Sequence, residues 1–314
     1  MKILITGASG FIGSRLVRRL LTSSSSANNY QIICMTRNAE SLKDHFNDKK
    51  RLSIVEADVS NNQQLLKVMG AEIDIAFYLI HSMEGSTKGW KEFAEKDRIS
   101  AENFARAATE NGVKRIVYLS GLSHGKDEGL SEHLRSRNQV GEILKTSTAK
   151  VTIFRAAIIL GQGGGSFEML KYLVERLPIM VCPRWVLTKS QPIAVEDVVT
   201  YLVKSIDVKE TEGREFEIGG PDVLTYVDMM KRYAKMINKS VRILIIPFLT
   251  PRLSSYWVDL VTPVKASLAR PLIDSLKHEA RVNDDSINIM IPIPLKNFEE
   301  SIKAAKEEEQ TKKT

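Results

Sequence analysis

A glycine-rich loop directly after a short apolar strand most constrains the fold of this chain. Residues 2–6 read KILIT, and GASGFIG at 7–13 leads into an amphipathic stretch at 11–22. Glycines at such a turn let the backbone approach a pyrophosphate, and the helix N-terminus adds free N–H groups with partial positive charge. A purely structural turn can carry the same glycines. The position of the loop nevertheless predicts a dinucleotide site formed by Gly7, Ser9, Gly10, Phe11, Ile12 and Gly13.

The following 150 residues alternate between strand-like and helix-like patterns. Strand-like runs occur at 31–36, 52–55, 74–80, 115–120 and 151–160, and a long helical pattern covers about 88–111. The run DIAFYLI at 74–80 is almost wholly apolar, as a strand buried on both faces should be. This alternation predicts an α/β fold with a Rossmann-type, doubly wound parallel sheet.

The pattern becomes irregular beyond Gly161, where prolines interrupt short elements. We predict an NAD(P)-binding domain over 1–160 and a smaller substrate-binding lobe over 161–314, with segments near 190–220 returning to the first domain. The polar run SSSSANN at 23–29 predicts a flexible loop. The charged tail from Ala304 predicts a fraying helix followed by solvated chain.

The end of the second predicted strand bears on the choice of cofactor. A site that prefers NAD usually has a carboxylate there, which accepts from the ribose 2′-hydroxyl. This strand ends MTRN at 35–38, with no carboxylate before Glu40. Because a guanidinium can bind a 2′-phosphate in a bidentate way, Arg37 favours NADP over NAD; the alternative is a solvated surface arginine. Asp58 and Val59, after the third strand, are expected beside the adenine, with a loop cap as the alternative role of Asp58.

Further segments carry a family resemblance: ADV at 57–59, NGVKRIVYLSGL at 111–122, FRAAIILGQGG at 154–164, QPIAVEDV at 191–198 and FEIGGP at 216–221. Together with the glycine loop, they resemble segments of extended or atypical short-chain dehydrogenases/reductases. Within that superfamily, YLIHSM at 78–83, HLRSRNQVG at 133–141 and LTPRLSSYWVDLVTPV at 249–264 resemble an NmrA-like, epimerase/dehydratase-like branch. The resemblance covers essentially the whole chain.

The chain departs from that superfamily at the catalytic residues, a serine and a Tyr-x-x-x-Lys motif. Ser120 matches the serine, whereas His133 stands at the tyrosine position and Arg137 at the lysine position. The resemblance implies that Arg137 binds the nicotinamide ribose and that Ser120 and His133 polarise or protonate the substrate. Histidine can exchange protons near neutral pH. His81 is a further candidate because it follows the fourth strand at the carboxyl edge of the sheet, although a histidine there is often a packing or capping group.

These features predict an NADP-dependent oxidoreductase that acts on a small or apolar carbonyl or alkene compound. The absent Tyr-x-x-x-Lys motif favours one alternative, a non-catalytic NADP-binding sensor, regulator or assembly factor. A nucleotide-sugar epimerase or dehydratase is a third alternative, weakened by the missing tyrosine.

Composition and charge restrict the classes of partner that we expect for this chain. The formal net charge is +7, but lysines and arginines are spread along the chain and no nucleic-acid-binding motif occurs, so we expect no nucleic-acid partner. We see no secretory signal and no apolar run long enough to span a membrane. Two cysteines make neither a disulfide framework nor a zinc cluster. We therefore predict a cytoplasmic protein that binds no metal. The sequence does not distinguish a monomer from an oligomer.

The apolar segment 243–276 has three interpretations. It can form core and wall of the small lobe, a pocket for a large apolar substrate, or a peripheral membrane contact. In the last case its basic fringe would be Arg252, Lys265, Arg270 and Lys277.

Overall fold

Seven parallel strands form the central sheet of this computed structural model, which describes residues 1–22, 30–43, 46, 50–81, 90–124, 129–246 and 273–311. The strands are, in chain order, β1 (Lys2–Thr6), β2 (Gln31–Thr36), β3 (Leu52–Glu56), β4 (Ile75–Tyr78), β5 (Arg115–Gly121), β6 (Lys150–Ala156), β7 (Ile159–Leu160), β8 (Ile179–Cys182), β9 (Lys189–Ser190), β10 (Ile193–Ala194), β11 (Glu215–Ile218), β12 (Leu224–Thr225) and β13 (Arg242–Ile245). The central sheet has the order β11-β6-β5-β4-β1-β2-β3, and all its pairs are parallel. The predicted Rossmann-type α/β fold is confirmed.

Helices cover both faces of this sheet. In chain order they are α1 (Gly13–Thr22), α2 (Glu40–Lys43), α3 (Asn62–Met69), α4 (Trp90–Glu110), α5 (Glu132–Lys145), α6 (Gly165–Arg176), α7 (Val195–Lys204), α8 (Tyr226–Met236), α9 (Ser286–Met290) and α10 (Phe298–Thr311). Alternate strand residues face opposite helix layers: Phe77 and Val117 pack in the cluster that includes α1 and α7, whereas Tyr78 and Tyr118 pack in the cluster that includes α4 and α5. This two-sided burial explains the almost wholly apolar β4. Among the described residues no helix is both long and apolar enough to span a membrane.

The direction of strand order reverses beside β1, which lies between β2 and β4. In an open parallel sheet, ligands bind outside the carboxyl ends of the strands at such a reversal. The glycine loop after β1 and His81 after β4 therefore lie at the edge of the sheet where a ligand is expected.

Residues after 160 build a second apolar cluster and also supply the edge strand β11. The cluster contains buried side chains of α6, α8 and α10, together with the parallel pair β8–β13. The segment 23–29, which we predicted to be a flexible loop, lies outside the described residues. So does most of the apolar segment 243–276, including Arg252, Lys265 and Arg270.

Residues 304–311 of the charged C-terminal segment form the end of a packed helix, which corrects the prediction that the helix frays there. Residues 312–314, which we predicted to be solvated chain, lie outside the described residues. Helix α10 continues to Thr311, and Ala305 is completely buried. Glu308 contacts Arg15 at 2.5 Å, and Glu309 contacts Lys171 at 2.6 Å. Glutamates of this charged segment thus form ion pairs with basic residues that are distant in sequence. A local sequence pattern cannot reveal such partners.

Arg115 connects the N-terminal end of β5 to the segment that follows α7, and we expect its replacement to lower the stability of the fold. Its guanidinium is buried and donates to the hydroxyls of Thr152 and Thr211 at 2.9 and 2.7 Å and to the Ser205 carbonyl at 2.5 Å. We predict that Arg115→Met lowers the free energy of unfolding by about 2–4 kcal/mol, because three buried acceptors lose a charged donor. Urea denaturation measures the effect. The control Arg106→Met, at an exposed site on α4, should stay within about 0.5 kcal/mol of the wild type; equal losses would contradict this role.

Candidate functional site

The loop between β1 and α1 has a shape that only glycine permits. Gly7 has φ +69°, and a Cβ added there would lie 2.7 Å from the Leu79 carbonyl oxygen. A Cβ at Gly13 would lie 2.2 Å from the Gly7 oxygen, which already accepts from the Gly10 N–H at 2.9 Å. The first N–H groups of α1 have no intrahelical acceptor. This cradle of backbone next to a helix N-terminus fits a dinucleotide pyrophosphate.

Phe11 joins the loop to the chain after β7. Its ring lies so close to Gly161 and Gly164 that a Cβ at either glycine would come within 3.2 and 2.7 Å of the Phe11 Cζ. The Arg15 guanidinium covers the same ring at 4.6 Å from its centroid. The Phe11 side chain therefore holds the loop in place. Ser9 and Gly10 are exposed, whereas Ile12 is partly buried.

Arg37 is exposed directly after β2, at the position expected for binding a 2′-phosphate. The Glu56 carboxylate contacts this loop, since its Oε2 accepts from the Ala39 N–H at 3.0 Å. Asp58 Oδ1 accepts from the N–H and the hydroxyl of Ser60, both at 2.8 Å, so Asp58 caps its own loop.

Val59, the neighbour of Asp58, is buried. Its carbonyl oxygen accepts from Asn103 Nδ2 at 3.3 Å. The backbone after β3 is thereby fixed against α4, and the predicted contact of these two residues with adenine stays a prediction.

His81 and His133 are brought together in a chain of hydrogen bonds. His81 Nδ1 lies 3.3 Å from Asp97 Oδ2, and His81 Nε2 lies 2.9 Å from His133 Nε2. On the other side, His133 Nδ1 lies 2.9 Å from Ser275 Oγ. We call Asp97, His81, His133 and Ser275 the histidine relay. In the tautomer in which His81 Nδ1–H donates to Asp97, His133 Nε2–H donates to His81 Nε2, and His133 Nδ1 can accept from the Ser275 hydroxyl. The same hydroxyl also lies 3.3 Å from Ser131 Oγ.

The surroundings of the relay keep both imidazoles neutral. Burial lowers the pKa of His81, Arg137 lowers it further, and Asp97 opposes both effects. Burial lowers the pKa of His133 well below 6.5, with further contributions from His81 and Arg137. Neutral imidazoles can accept and pass on a proton at neutral pH, which is the property that a general base requires.

Arg137 connects α5 to the carboxyl ends of β4 and β5. It is buried on α5, and its guanidinium donates to the carbonyl oxygens of Ile80, at 3.2 Å, and Leu119. Its guanidinium also lies 4.7 Å from the centroid of the Tyr118 ring. These contacts fix the ends of β4 and β5, immediately before His81. The predicted contact of Arg137 with a nicotinamide ribose stays a prediction.

Ser120 is not part of the histidine relay. Its hydroxyl is buried and donates to the Arg137 carbonyl oxygen at 3.4 Å, which also accepts from the Tyr118 hydroxyl at 3.0 Å. Both hydroxyls thus attach β5 to the backbone of α5. The role of Ser120 in polarising a substrate stays a prediction.

A small apolar cavity of about 70 Å³ opens beside His133 and Ser275. Its walls come from the ends of β5 and β6, from α5 and α6, and from residues 275–280. They include Leu122, Leu134, Ala156, Ile158, Met169 and Leu276. The histidine relay therefore ends at a small space that can receive an apolar group.

Sequence reasoning missed Asp97 and Ser275. Asp97 lies on the buried stripe of α4, four residues after Phe93 and seven before Phe104, and an acid on such a stripe is a signal that helical spacing makes visible. Ser275 carries no comparable signal, because only the fold brings it to His133. In the part of the chain that the structure describes, no cluster of three or more His, Cys, Asp or Glu side chains is arranged to hold a metal.

Comparison with known proteins agrees with this geometry. Residues 7–174 match the NAD(P)H-binding family. The chain is 24% identical over 310 residues to the mitochondrial NADH dehydrogenase (ubiquinone) 1 alpha subcomplex subunit 9 of Arabidopsis thaliana, covering 94% of this chain and 75% of that protein.

Two solved structures share the fold at low sequence identity. Triphenylmethane reductase of Citrobacter sp., complexed with NADP(H), has a TM-score of 0.74 at 17% identity, over 97% of this chain and 100% of that chain. UDP-glucose 4-epimerase of Thermotoga maritima, with UDP-glucose, has a TM-score of 0.73 at 15% identity, over 100% of both chains.

Proposed function

The chain belongs to the NAD(P)H-binding family, and we propose that it is an NADP-dependent oxidoreductase of the atypical short-chain type. Its substrate is a small or apolar carbonyl or alkene compound. The observation that carries this proposal is the histidine relay, which ends at an apolar cavity on the carboxyl edge of the sheet. The relay takes the place of the Tyr-x-x-x-Lys motif.

The relay moves the proton that such a reaction requires. Oxidation of a substrate hydroxyl releases a proton, which passes to Ser275 Oγ while the Ser275 proton passes to His133 Nδ1. His81 and Asp97 are positioning residues, because they hold His133 in the tautomer with a free Nδ1 and stabilise the imidazolium that forms. In the direction of reduction the same steps run in reverse, and His133 must start as the imidazolium.

The cofactor would be held by residues already in place. The backbone of the glycine loop and the N-terminus of α1 receive the pyrophosphate, and Arg37 receives the 2′-phosphate. Bound NADP(H) supplies or accepts the hydride. The walls of the cavity exclude water from the reacting atoms.

The preference for NADP can be tested at Arg37. We predict that Arg37→Asp moves the preference toward NADH by at least about 1 kcal/mol, since a charge-assisted hydrogen bond is lost and a carboxylate repels the 2′-phosphate. Fluorescence titration with NADPH and NADH measures both affinities. Lys67→Asp, at an exposed position on α3, is the matched control and should leave the ratio of the two affinities unchanged. A wild type that binds NADH more tightly than NADPH would overturn the assignment.

The lowered pKa of His133 predicts how kcat/KM depends on pH in each direction of the reaction. Oxidation needs neutral His133, whose pKa lies well below 6.5, so kcat/KM for oxidation should be constant between about pH 6.5 and 8 and fall only at lower pH. Reduction needs the imidazolium, so its kcat/KM should fall about tenfold per pH unit over the same range. Initial rates in both directions give the two profiles. Reduction that is independent of pH across this range would contradict the role of His133.

A second candidate function, an NADP-binding regulator or assembly factor, is favoured by an exposed apolar surface. The paired strands β8 and β13 expose apolar side chains, with Ile179 at 52%, Leu244 at 55% and Val181 at 39% of their surface. Exposed apolar patches are typical of protein-binding surfaces. The Arabidopsis relative is, by its name, a subunit of a larger complex. This function predicts NADPH binding without turnover of any compound.

The two functions are separated by incubating the protein with NADPH and a panel of aromatic ketones, aldehydes and enones. Loss of NADPH absorbance at 340 nm with any of these compounds, dependent on His133, supports the oxidoreductase. Tight NADPH binding with no oxidation across the panel supports the regulator.

A further inference from the structure

Three buried polar atoms near the cavity have no hydrogen-bond partner within the described part of the chain. They are the Tyr226 hydroxyl, the Ser190 hydroxyl and the Trp185 Nε1. The three residues expose only 2%, 4% and 9% of their surface. A buried polar group without a partner costs free energy, so such groups in a folded protein call for an explanation, and a ligand is one.

Two of these hydroxyls line the same cavity as the end of the histidine relay. Tyr226 and Ser190 are both part of its wall, together with His133 and Ser275. Neither hydroxyl is hydrogen-bonded to Ser275 or His133. The cavity therefore offers a second polar position, separate from the one at which a proton is exchanged.

The fold holds Tyr226 and Ser190 rigidly. Tyr226 begins α8 directly after Thr225, whose side chain forms a capping box with Asp228. Strand β12 pairs with β9 so that Leu224 lies opposite Ser190. The Trp185 ring packs on the edge of the Tyr226 ring, with centroids 5.5 Å apart. Preorganised donors of this kind lose little conformational freedom when a ligand binds.

The chemistry of the wall restricts the ligand. Burial raises the pKa of Tyr226, so its hydroxyl is a neutral donor. The described side chains around the cavity include no lysine or arginine, and burial and Lys277 lower the pKa of His278. A diphosphate or carboxylate would meet no lysine or arginine on these described walls, whereas an uncharged molecule would lose little on entering.

We propose that Tyr226 and Ser190 form a recognition site for a second oxygen of the substrate, which is an uncharged, largely apolar carbonyl compound with an additional hydrogen-bond acceptor. The proposal rests on the proposed function, because the reacting oxygen is placed at Ser275. The Tyr226 hydroxyl donates to the second oxygen, and Ser190 donates beside it.

A pair of isosteric probes tests this site without turnover. 1,4-Diacetylbenzene carries a second carbonyl where 4-isopropylacetophenone carries an isopropyl group of similar shape. Calorimetric titration of both into the complex with NADP⁺ measures binding alone, because no reductant is present. We expect the wild type to bind the diacetyl compound about tenfold more tightly. Equal affinities would overturn the proposal.

Variants locate the effect. Tyr226→Phe should reduce the preference to about twofold or less, and Ser190→Ala should reduce it in part. The control Tyr233→Phe, also on α8, should keep the preference, because its hydroxyl is bonded to Glu175 at 2.7 Å inside the protein. Tyr226→Phe should keep the melting temperature, since the deleted hydroxyl has no partner, whereas Tyr233→Phe should lower it. A preference that survives in Tyr226→Phe would refute the site.

Repeating the titrations with NADPH separates this proposal from the proposed function. If the wild type prefers the diacetyl probe but oxidises no NADPH, the recognition site stands and the oxidoreductase fails. If NADPH is oxidised with both probes at equal KM, the oxidoreductase stands and the recognition site fails.

Discussion

Replacing His133 with phenylalanine is expected to lower kcat by about 10²- to 10⁴-fold, the range that a positioned acid or base contributes. His133 is hydrogen-bonded both to Ser275, at the cavity, and to His81, which in turn contacts Asp97. Phenylalanine keeps a planar ring of similar size but cannot accept the Ser275 proton. NADPH affinity should stay within about twofold, because the residue lies outside the glycine loop. Steady-state kinetics and fluorescence titration measure these quantities.

His124→Phe is the matched control for this change. His124 belongs to a separate set of contacts, with Nδ1 3.3 Å from Glu217 and Nε2 2.5 Å from the Arg281 carbonyl oxygen. The control should keep kcat near the wild-type value. Asp97→Asn should lower kcat by a smaller factor and change its pH profile, since Asp97 acts through the tautomer of His81. An unchanged kcat in His133→Phe would remove His133 from the mechanism.

Gly13→Ala is expected to reduce NADPH affinity by at least about 100-fold, a loss of about 3 kcal/mol. The new Cβ would lie 2.2 Å from the Gly7 oxygen and 3.0 Å from the Ala8 Cα. Both neighbours are backbone atoms, so the loop itself must move, and the pyrophosphate cradle is lost. The free energy of unfolding should also fall by about 1–3 kcal/mol, as in other overpacked sites.

Gly70→Ala controls for the loss of a glycine. Gly70 ends α3 with φ −59°, which any residue adopts, and its added Cβ would lie 3.3 Å from the nearest atom, the Leu66 oxygen. This variant should bind NADPH as the wild type does. If Gly13→Ala also kept wild-type affinity, the loop would be a structural turn rather than a dinucleotide site.

Local sequence patterns were sufficient for the first two strands of the sheet. Strands β1 and β2 begin and end at the predicted residues, because each is a short apolar run that ends in a turn. The run at 151–160 was wrong in one respect: β6 ends at Ala156, and Ile159–Leu160 pairs instead with β10. The apolar run is divided into two strands because its last residues pair with the distant strand β10. The periodicity of a sequence contains no information about such distant partners.

The candidate site was predictable only in part for the same reason. His81 could be singled out by its position after β4, and His133 by the resemblance that places it at the tyrosine of the Tyr-x-x-x-Lys motif, but their mutual contact depends on how α5 packs over the sheet edge. Ser275 comes from a segment 142 residues beyond His133, and only tertiary structure brings them together. The prediction of a fraying helix at 304–311 was wrong because the partners of its acids, Arg15 and Lys171, lie in other elements.

Transfer of deuterium from NADPH is the most direct test of the account. Wild-type protein and His133→Phe are incubated with each 4-deuterated diastereomer of NADPH and the carbonyl panel, and products are analysed by mass spectrometry. We predict that one diastereomer places one deuterium on carbon in the wild-type product, and that His133→Phe forms this product at least about 100-fold more slowly. Tight NADPH binding with no deuterium in any compound would contradict the account and identify the chain as a nucleotide-binding protein without hydride transfer.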